Sequence, residues 1–259
     1  MMSFTLNQFL LFTLVLTRVS GLTMTAPVYG SGEVPARIRA FLAFALSLVI
    51  TPTQLGAAVA FPANLVEYLV LIGGELLIGL TLGLGVQVLF VSAQVAGQLI
   101  SQVSGVSLAD VFNPALETEV PLFSQLLYVF TLTIFLVMGG HRLAMSGLLG
   151  TFASVPLGSG LIPASLAETF TTLLAQSVEL GLRIAAPATT ALLIATVVLG
   201  LIGRTLPQLN IMVLGFGINA LATLAALSLS LGAIAWAFQQ EIEPFLELVV
   251  GQWSVASSQ

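Results

Sequence analysis

Two apolar stretches, 184–203 and 211–237, are each long enough to cross a bilayer, and only the seven residues "RTLPQLN" at 204–210 separate them. A transmembrane helix needs about 20 consecutive apolar residues. A backbone that leaves helical geometry inside hydrocarbon loses its hydrogen-bond partners. A polar break carrying Arg204, Pro207 and Gln208 between two such runs is therefore most simply a hairpin tip at a membrane face. A tight turn with no further role satisfies the same pattern.

The rest of the chain obeys the same constraint. Of its 259 residues, 58% are hydrophobic and 7% charged, far from the balance of a soluble domain. There is no lysine, and the six arginines stand singly or as the pair Arg37/Arg39, so no basic patch exists to neutralise a nucleic-acid backbone. With no cysteine, disulfides, thiolate metal sites and cysteine catalysis are excluded. The N-terminal stretch "MMSFTLNQFLLFTLVLTRVSGLTMTAPVYG" lacks the basic start of a signal peptide, and Arg18 interrupts its apolar run. It is expected to be a retained first helix, roughly 4–28.

Further apolar segments lie at 40–51, extended from Pro35, and at 64–91 and 121–139. The stretch 143–155 is too short to span alone, and 166–182 is amphipathic with Glu168 and Glu179. The expected fold is all-α: a polytopic integral membrane protein of six to eight helices with helical hairpins. Breaks are expected at Pro27, Pro52, Pro62, Asn113–Pro114, Pro156, Pro163, Pro207 and Pro244. Arginine placement puts the Arg37/Arg39 and Arg204 loops inside, and the 52–63 loop and acidic tail outside.

"GGELLIGLTLGLG" sets Gly79 and Gly83 at small-xxx-small spacing, which permits close helix approach in lipid. Glu75, within it, is an intramembrane acid and so a candidate functional group, although pairing with an arginine of a neighbouring helix or subunit is the commoner arrangement. Gln94, Gln98, Ser101, Gln102 and Gly105 form one polar stripe on a helix, suited to a partner subunit, a watery passage or plain interhelical hydrogen bonding. No Walker loop, GxSxG or HExxH motif occurs, so no catalytic residue is expected. The lone His141 has no second metal ligand beside it and is expected to bond a neighbour at a helix end. No metal or cofactor is expected.

"GELLIGLTLGLGVQVLFVSAQVAGQLI", "GVSLADVFNP", "GGH" at 139–141 and "RTLPQLNIMVLGFGINAL" together resemble the FliR/SctT family of type III secretion export-gate subunits, over nearly the whole chain. The resemblance implies a noncatalytic gate component that joins FliP- and FliQ-type subunits, with FlhB- and FlhA-type subunits nearby, to pass unfolded export substrates. It implies residence in the bacterial inner membrane, at the flagellar basal body, and the pattern leans to the flagellar rather than the injectisome system. It implies a FliP-like part at 1–165 and a FliQ-like hairpin part at 166–259, with helices raised and tilted rather than simply spanning. The loop matching the family's channel constriction is 106–114: Val106, Ser107, Leu108, Ala109, Asp110, Val111, Phe112, Asn113 and Pro114. Glu75, Gly79, Gly83, Gln94, Gln98, Gln102, Arg204, Pro207 and Gln208 are then expected at subunit contacts. The rival is a small-molecule secondary transporter, suggested by broken helices and Glu75 and opposed by the missing inverted repeat.

Overall fold

A computed structural model describes residues 2–30, 34–56, 59–105, 121–158, 166–205 and 211–256. Among them are seven α-helices: α1 (Met2–Thr25), α2 (Ala36–Ile50), α3 (Leu65–Ser104), α4 (Leu122–Val137), α5 (Gly140–Ser154), α6 (Leu166–Thr205) and α7 (Ile211–Ala256). A 3-10 turn (Thr51–Gln54) follows α2, and the described residues contain no strand. Four helical segments are long and apolar enough to cross a membrane, or up to six spans if each of two bent helix pairs counts as one. The chain is a multi-span helical membrane protein.

Two helices exceed any simple span. At 1.5 Å per residue, the 40 residues of α3 and of α6 run for about 60 Å, roughly twice the hydrocarbon core. α7 has 46 residues but is bent by 52° between its parts Gly217–Leu229 and Leu231–Ile242. The apolar segment 64–91 and the polar-striped segment after it are thus one helix. Likewise 166–182 and 184–203 are one helix, because the single charge of Arg183 interrupts hydropathy without interrupting the backbone ladder. Pro187 lies inside α6 and Pro244 inside α7, so Pro244 is not the break its residue type suggested, and the acidic tail is helical to Ala256. Proline is tolerated in membrane helices where neighbouring groups re-satisfy the freed carbonyl.

Local chemistry sets the boundaries. Asn64 Oδ1 accepts the Glu67 amide at 2.8 Å, while the Glu67 carboxylate accepts the Ala63 amide at 2.6 Å. This reciprocal capping fixes the start of α3. The Gly139 backbone, at φ 75°, turns the chain between α4 and α5, which are bent by 67°. The short segment 143–155 is thereby one arm of a bent pair.

The chain divides into two compact units. The first comprises Met1–Leu89, Leu136–Leu174 and Ile242–Gln259, and the second Phe90–Phe135 and Ala175–Glu241. In the first, α1 buries Leu11, Leu14, Val15, Arg18, Val19 and Leu22 completely, a stripe at helical spacing. It approaches α3 through glycine: a Cβ on Gly21 would lie 2.8 Å from the Leu76 carbonyl oxygen, and one on Gly79 would collide with the Arg18 carbonyl. Tyr68 on α3 donates to Thr13 Oγ1 on α1 at 2.9 Å. In the second unit, Phe90 packs against Tyr128 and Phe135, with ring centroids 5.6 and 5.4 Å apart. Gly97 faces the Ser124 backbone, and the Ser124 hydroxyl donates to the Gln94 carbonyl at 3.0 Å.

Candidate functional site

The chemistry of the first unit concentrates on Arg18. α1 is apolar around it, so its guanidinium has no water and must find acceptors in protein. Nε donates to Glu75 Oε2 at 2.6 Å, with the two side chains 0% and 2% exposed. Nη1 donates to the Thr151 carbonyl at 3.1 Å, and Nη1 and Nη2 each donate to the Val155 carbonyl at 3.2 Å. The Thr151 carbonyl lies in the last turn of α5, at the negative end of its dipole, and also accepts the Val155 amide at 2.8 Å, while Val155 is the extended residue that follows the helix. Arg18 therefore caps α5 while it neutralises Glu75. The guanidinium carbon also stands 4.5 Å from the centroid of the Phe152 ring.

The second carboxylate oxygen is equally committed. Glu75 Oε1 accepts the Gly158 amide at 2.8 Å. Gly158 has φ 77°, a left-handed conformation that glycine adopts without the cost of a Cβ, and its amide reaches the carboxylate from there. With both oxygens bonded inside a buried cluster, Glu75 joins α1, α3 and the segment after α5. The arrangement holds structure, with each carboxylate oxygen engaged by a donor of the same unit.

Sequence reasoning identified Glu75 but missed its partner cluster of Arg18, Thr151, Phe152, Val155 and Gly158. The signal was present: Arg18 is the arginine within the first apolar helix, and Glu75 is the acid within a second. Gly79 and Gly83 stand on the α1 side of α3, with a Gly83 Cβ meeting Thr25 Oγ1, so the approach they permit is to α1 of the same chain. The polar stripe separates by burial: Gln98 and Gln102 are exposed, Gln94 is intermediate and Ser101 is buried with an unpartnered hydroxyl. Arg204 is exposed in the last turn of α6. Pro207, Gln208 and all of 106–114 lie outside the described residues.

His141 departs from expectation. Its Nδ1 is buried without a hydrogen-bond partner, although its carbonyl accepts the Tyr29 hydroxyl at 3.4 Å. Tyr29, just past the end of α1, has its phenol pushed above the ordinary tyrosine value by burial. Among the described residues no group of three or more His, Asp or Glu side chains comes together as a metal site.

In the second unit, Arg183 on α6 pairs with Glu179 at 2.7 Å on the same helix and reaches Glu241 on α7 at 3.6 Å. Arg183 and Glu179 are 60% and 68% exposed, and around them α6 displays Leu182, Leu193, Ile194, Val197 and Leu201. Charges so displayed are costly against lipid and are met by water or another protein.

Comparison with known proteins places this architecture. Residues 9–245 match the family described as Bacterial export proteins, family 1. The Flagellar biosynthetic protein FliR of Aquifex aeolicus (strain VF5) is 33% identical over 246 residues, covering 92% of each chain. That of Escherichia coli (strain K12) is 32% identical over 223 residues, covering 82% of this chain and 83% of its own. The Secretion system apparatus protein SsaT of Salmonella typhimurium is 26% identical over 165 residues, about two thirds of either chain. An all-helical, multi-span chain matched along almost its full length in this way belongs to the FliR family of bacterial type III export proteins.

Proposed function

We propose that this chain is a noncatalytic subunit of the type III protein export gate of the bacterial inner membrane. With FliP- and FliQ-type subunits it forms the channel for unfolded flagellar substrates at the basal body, next to FlhB- and FlhA-type subunits. The observation that carries the reading is the ion cluster of exposed Glu179 and Arg183 on α6 with half-buried Glu241 on α7, in helices whose surfaces are otherwise apolar. Such charges are costly against hydrocarbon, and a neighbouring subunit of an assembly meets them. The two helices of 40 residues, too long for ordinary spans, support the same reading.

In this reading 1–165 is the FliP-like part and 166–259 the FliQ-like hairpin. The loop 106–114 supplies the closed constriction, where Val106, Leu108, Val111 and Phe112 exclude ions by dewetting. Gln94, Gln98, Gln102, Arg204, Pro207 and Gln208 face partners, while Gly79, Gly83 and Glu75 act on assembly by holding α1 against α3. The small-molecule transporter draws little from Glu75, which is committed to a buried ion pair with Arg18.

Co-expression with the FliP- and FliQ-type subunits of its own system, followed by purification in mild detergent, tests the reading. A complex of discrete mass containing all three is expected. A solitary monomer, with the other two assembling without it, would overturn it.

A further inference from the structure

A second feature of the first unit has no part in the Arg18–Glu75 cluster. Between α1 and α2 lies a cavity of about 690 Å³, within the roughly 300–1,000 Å³ range of small-ligand sites. Its walls are mostly apolar, with Leu16, Met24, Ala43 and Phe44 prominent, and among the described residues no carboxylate lines it. Arg39 does line it, and its Nε is buried without a hydrogen-bond partner. A buried guanidinium nitrogen without an acceptor is costly, so a cavity holding one is suited to an anion.

The surroundings add to that demand. α2 begins at Ala36 behind Pro35 with no side-chain cap and no acidic residue in its first turn, yet Arg37 and Arg39 both sit there. Two cations at the positive end of a helix dipole oppose the usual preference for negative charge. The Ile38 and Arg39 amides both bond the Pro35 carbonyl, while the Ala36 and Arg37 amides precede the helix's own ladder. Ala36 lines the cavity as well. Across the cavity, the hydroxyls of Thr17, Ser20 and Thr23 donate to carbonyls of α1, at 2.8, 2.8 and 3.1 Å. Arg39 is therefore the cavity's charged donor.

We propose that this cavity holds an anionic phospholipid, its phosphate on Arg39 and the start of α2 and its first acyl carbons against the apolar wall. The lipid source follows from α2 itself, on which Ile38, Phe41, Leu48 and Val49 are more than half exposed and so face hydrocarbon. The arginine distribution puts this end of α2 at the cytoplasmic leaflet, where anionic lipid attracts basic groups. A zwitterionic lipid brings its own ammonium toward Arg37 and the helix dipole and is disfavoured.

The test uses the full chain, exchanged in mild detergent into equal amounts of phosphatidylglycerol and phosphatidylcholine, washed, and measured for retained lipid by mass spectrometry. Phosphatidylglycerol is expected in clear excess. Arg39→Gln should lower its retention about tenfold, the loss of one charge-assisted contact, whereas Arg39→Lys keeps most of it and Arg37→Gln has the smaller effect. Ala40→Phe, which fills the cavity and keeps the arginine, should displace the lipid and serves if Arg39→Gln does not fold. Equal retention of the two lipids overturns the proposal, as does unchanged phosphatidylglycerol in a folded Arg39→Gln or Ala40→Phe chain. So does loss of the lipid when the chain joins its partner subunits, which would assign the cavity to a partner's carboxylate.

Discussion

Replacing Arg18 by Met keeps an unbranched apolar stem and removes a guanidinium that makes four hydrogen bonds of 2.6–3.2 Å inside the first unit. Glu75 then keeps the Gly158 amide alone, and the Val155 carbonyl loses both guanidinium donors, while the Thr151 carbonyl keeps the Val155 amide. Breaking a buried pair from one side costs about 3–5 kcal/mol, because the remaining charge stays buried. In a protein of this size each kcal/mol shifts the midpoint by roughly 2–4 °C, so thermal unfolding in mild detergent should fall by about 6–20 °C. Arg18→Met with Glu75→Leu removes both charges and should recover most of that loss. About 1–2 kcal/mol remains for the Val155 carbonyl left without a donor. Arg18→Lys should recover less, since an ammonium has no planar fork to span Glu75 and two carbonyls. A double-mutant cycle gives the coupling directly. Arg18→Met within about 1 kcal/mol of the parent, or a double variant as costly as the two single changes summed, would refute the argument.

Gly79→Ala should destabilise the isolated chain by about 1–3 kcal/mol, because its methyl meets the Arg18 backbone. Gly200→Ala, with nothing within 4 Å, should gain about 0.5–1 kcal/mol in the same melting assay. Asn64→Ala should cost about 1 kcal/mol and raise amide exchange in the first turn of α3, where the Glu67 amide loses its acceptor. Deleting 108–112, or replacing Phe112 by Ala, should leave the proposed gate assembled but conducting ions in reconstituted membranes. A tight gate after the deletion removes the loop from the constriction.

Much of the fold was legible because one solvent imposes one rule. Apolar runs of spanning length located the helices, and "RTLPQLN" separated α6 from α7. Hydropathy misjudged continuity, since Arg183 lowers a hydropathy average without disturbing a hydrogen-bond ladder, and Pro187 and Pro244 sit inside helices that continue past them. The small-xxx-small spacing of Gly79 and Gly83 announced a close approach; only coordinates show that its other side is Gly21 and Thr25 of the same chain. Glu75 stood out as an acid in lipid. Arg18 stood out equally but lies 57 residues away, and the carbonyls it caps are further still. Backbone acceptors carry no sequence signature at all.

The central claim, that this member of the FliR family works as a subunit of a protein export gate, is tested most directly in the cell that makes it. The measurement is the amount of flagellar substrate released into the medium after the chain is removed, with substrate synthesis followed in parallel. Release should stop while synthesis continues, and reintroducing the full chain should restore it. Normal release without the chain, accompanied by loss of uptake of a small solute, would contradict the account and favour the transporter.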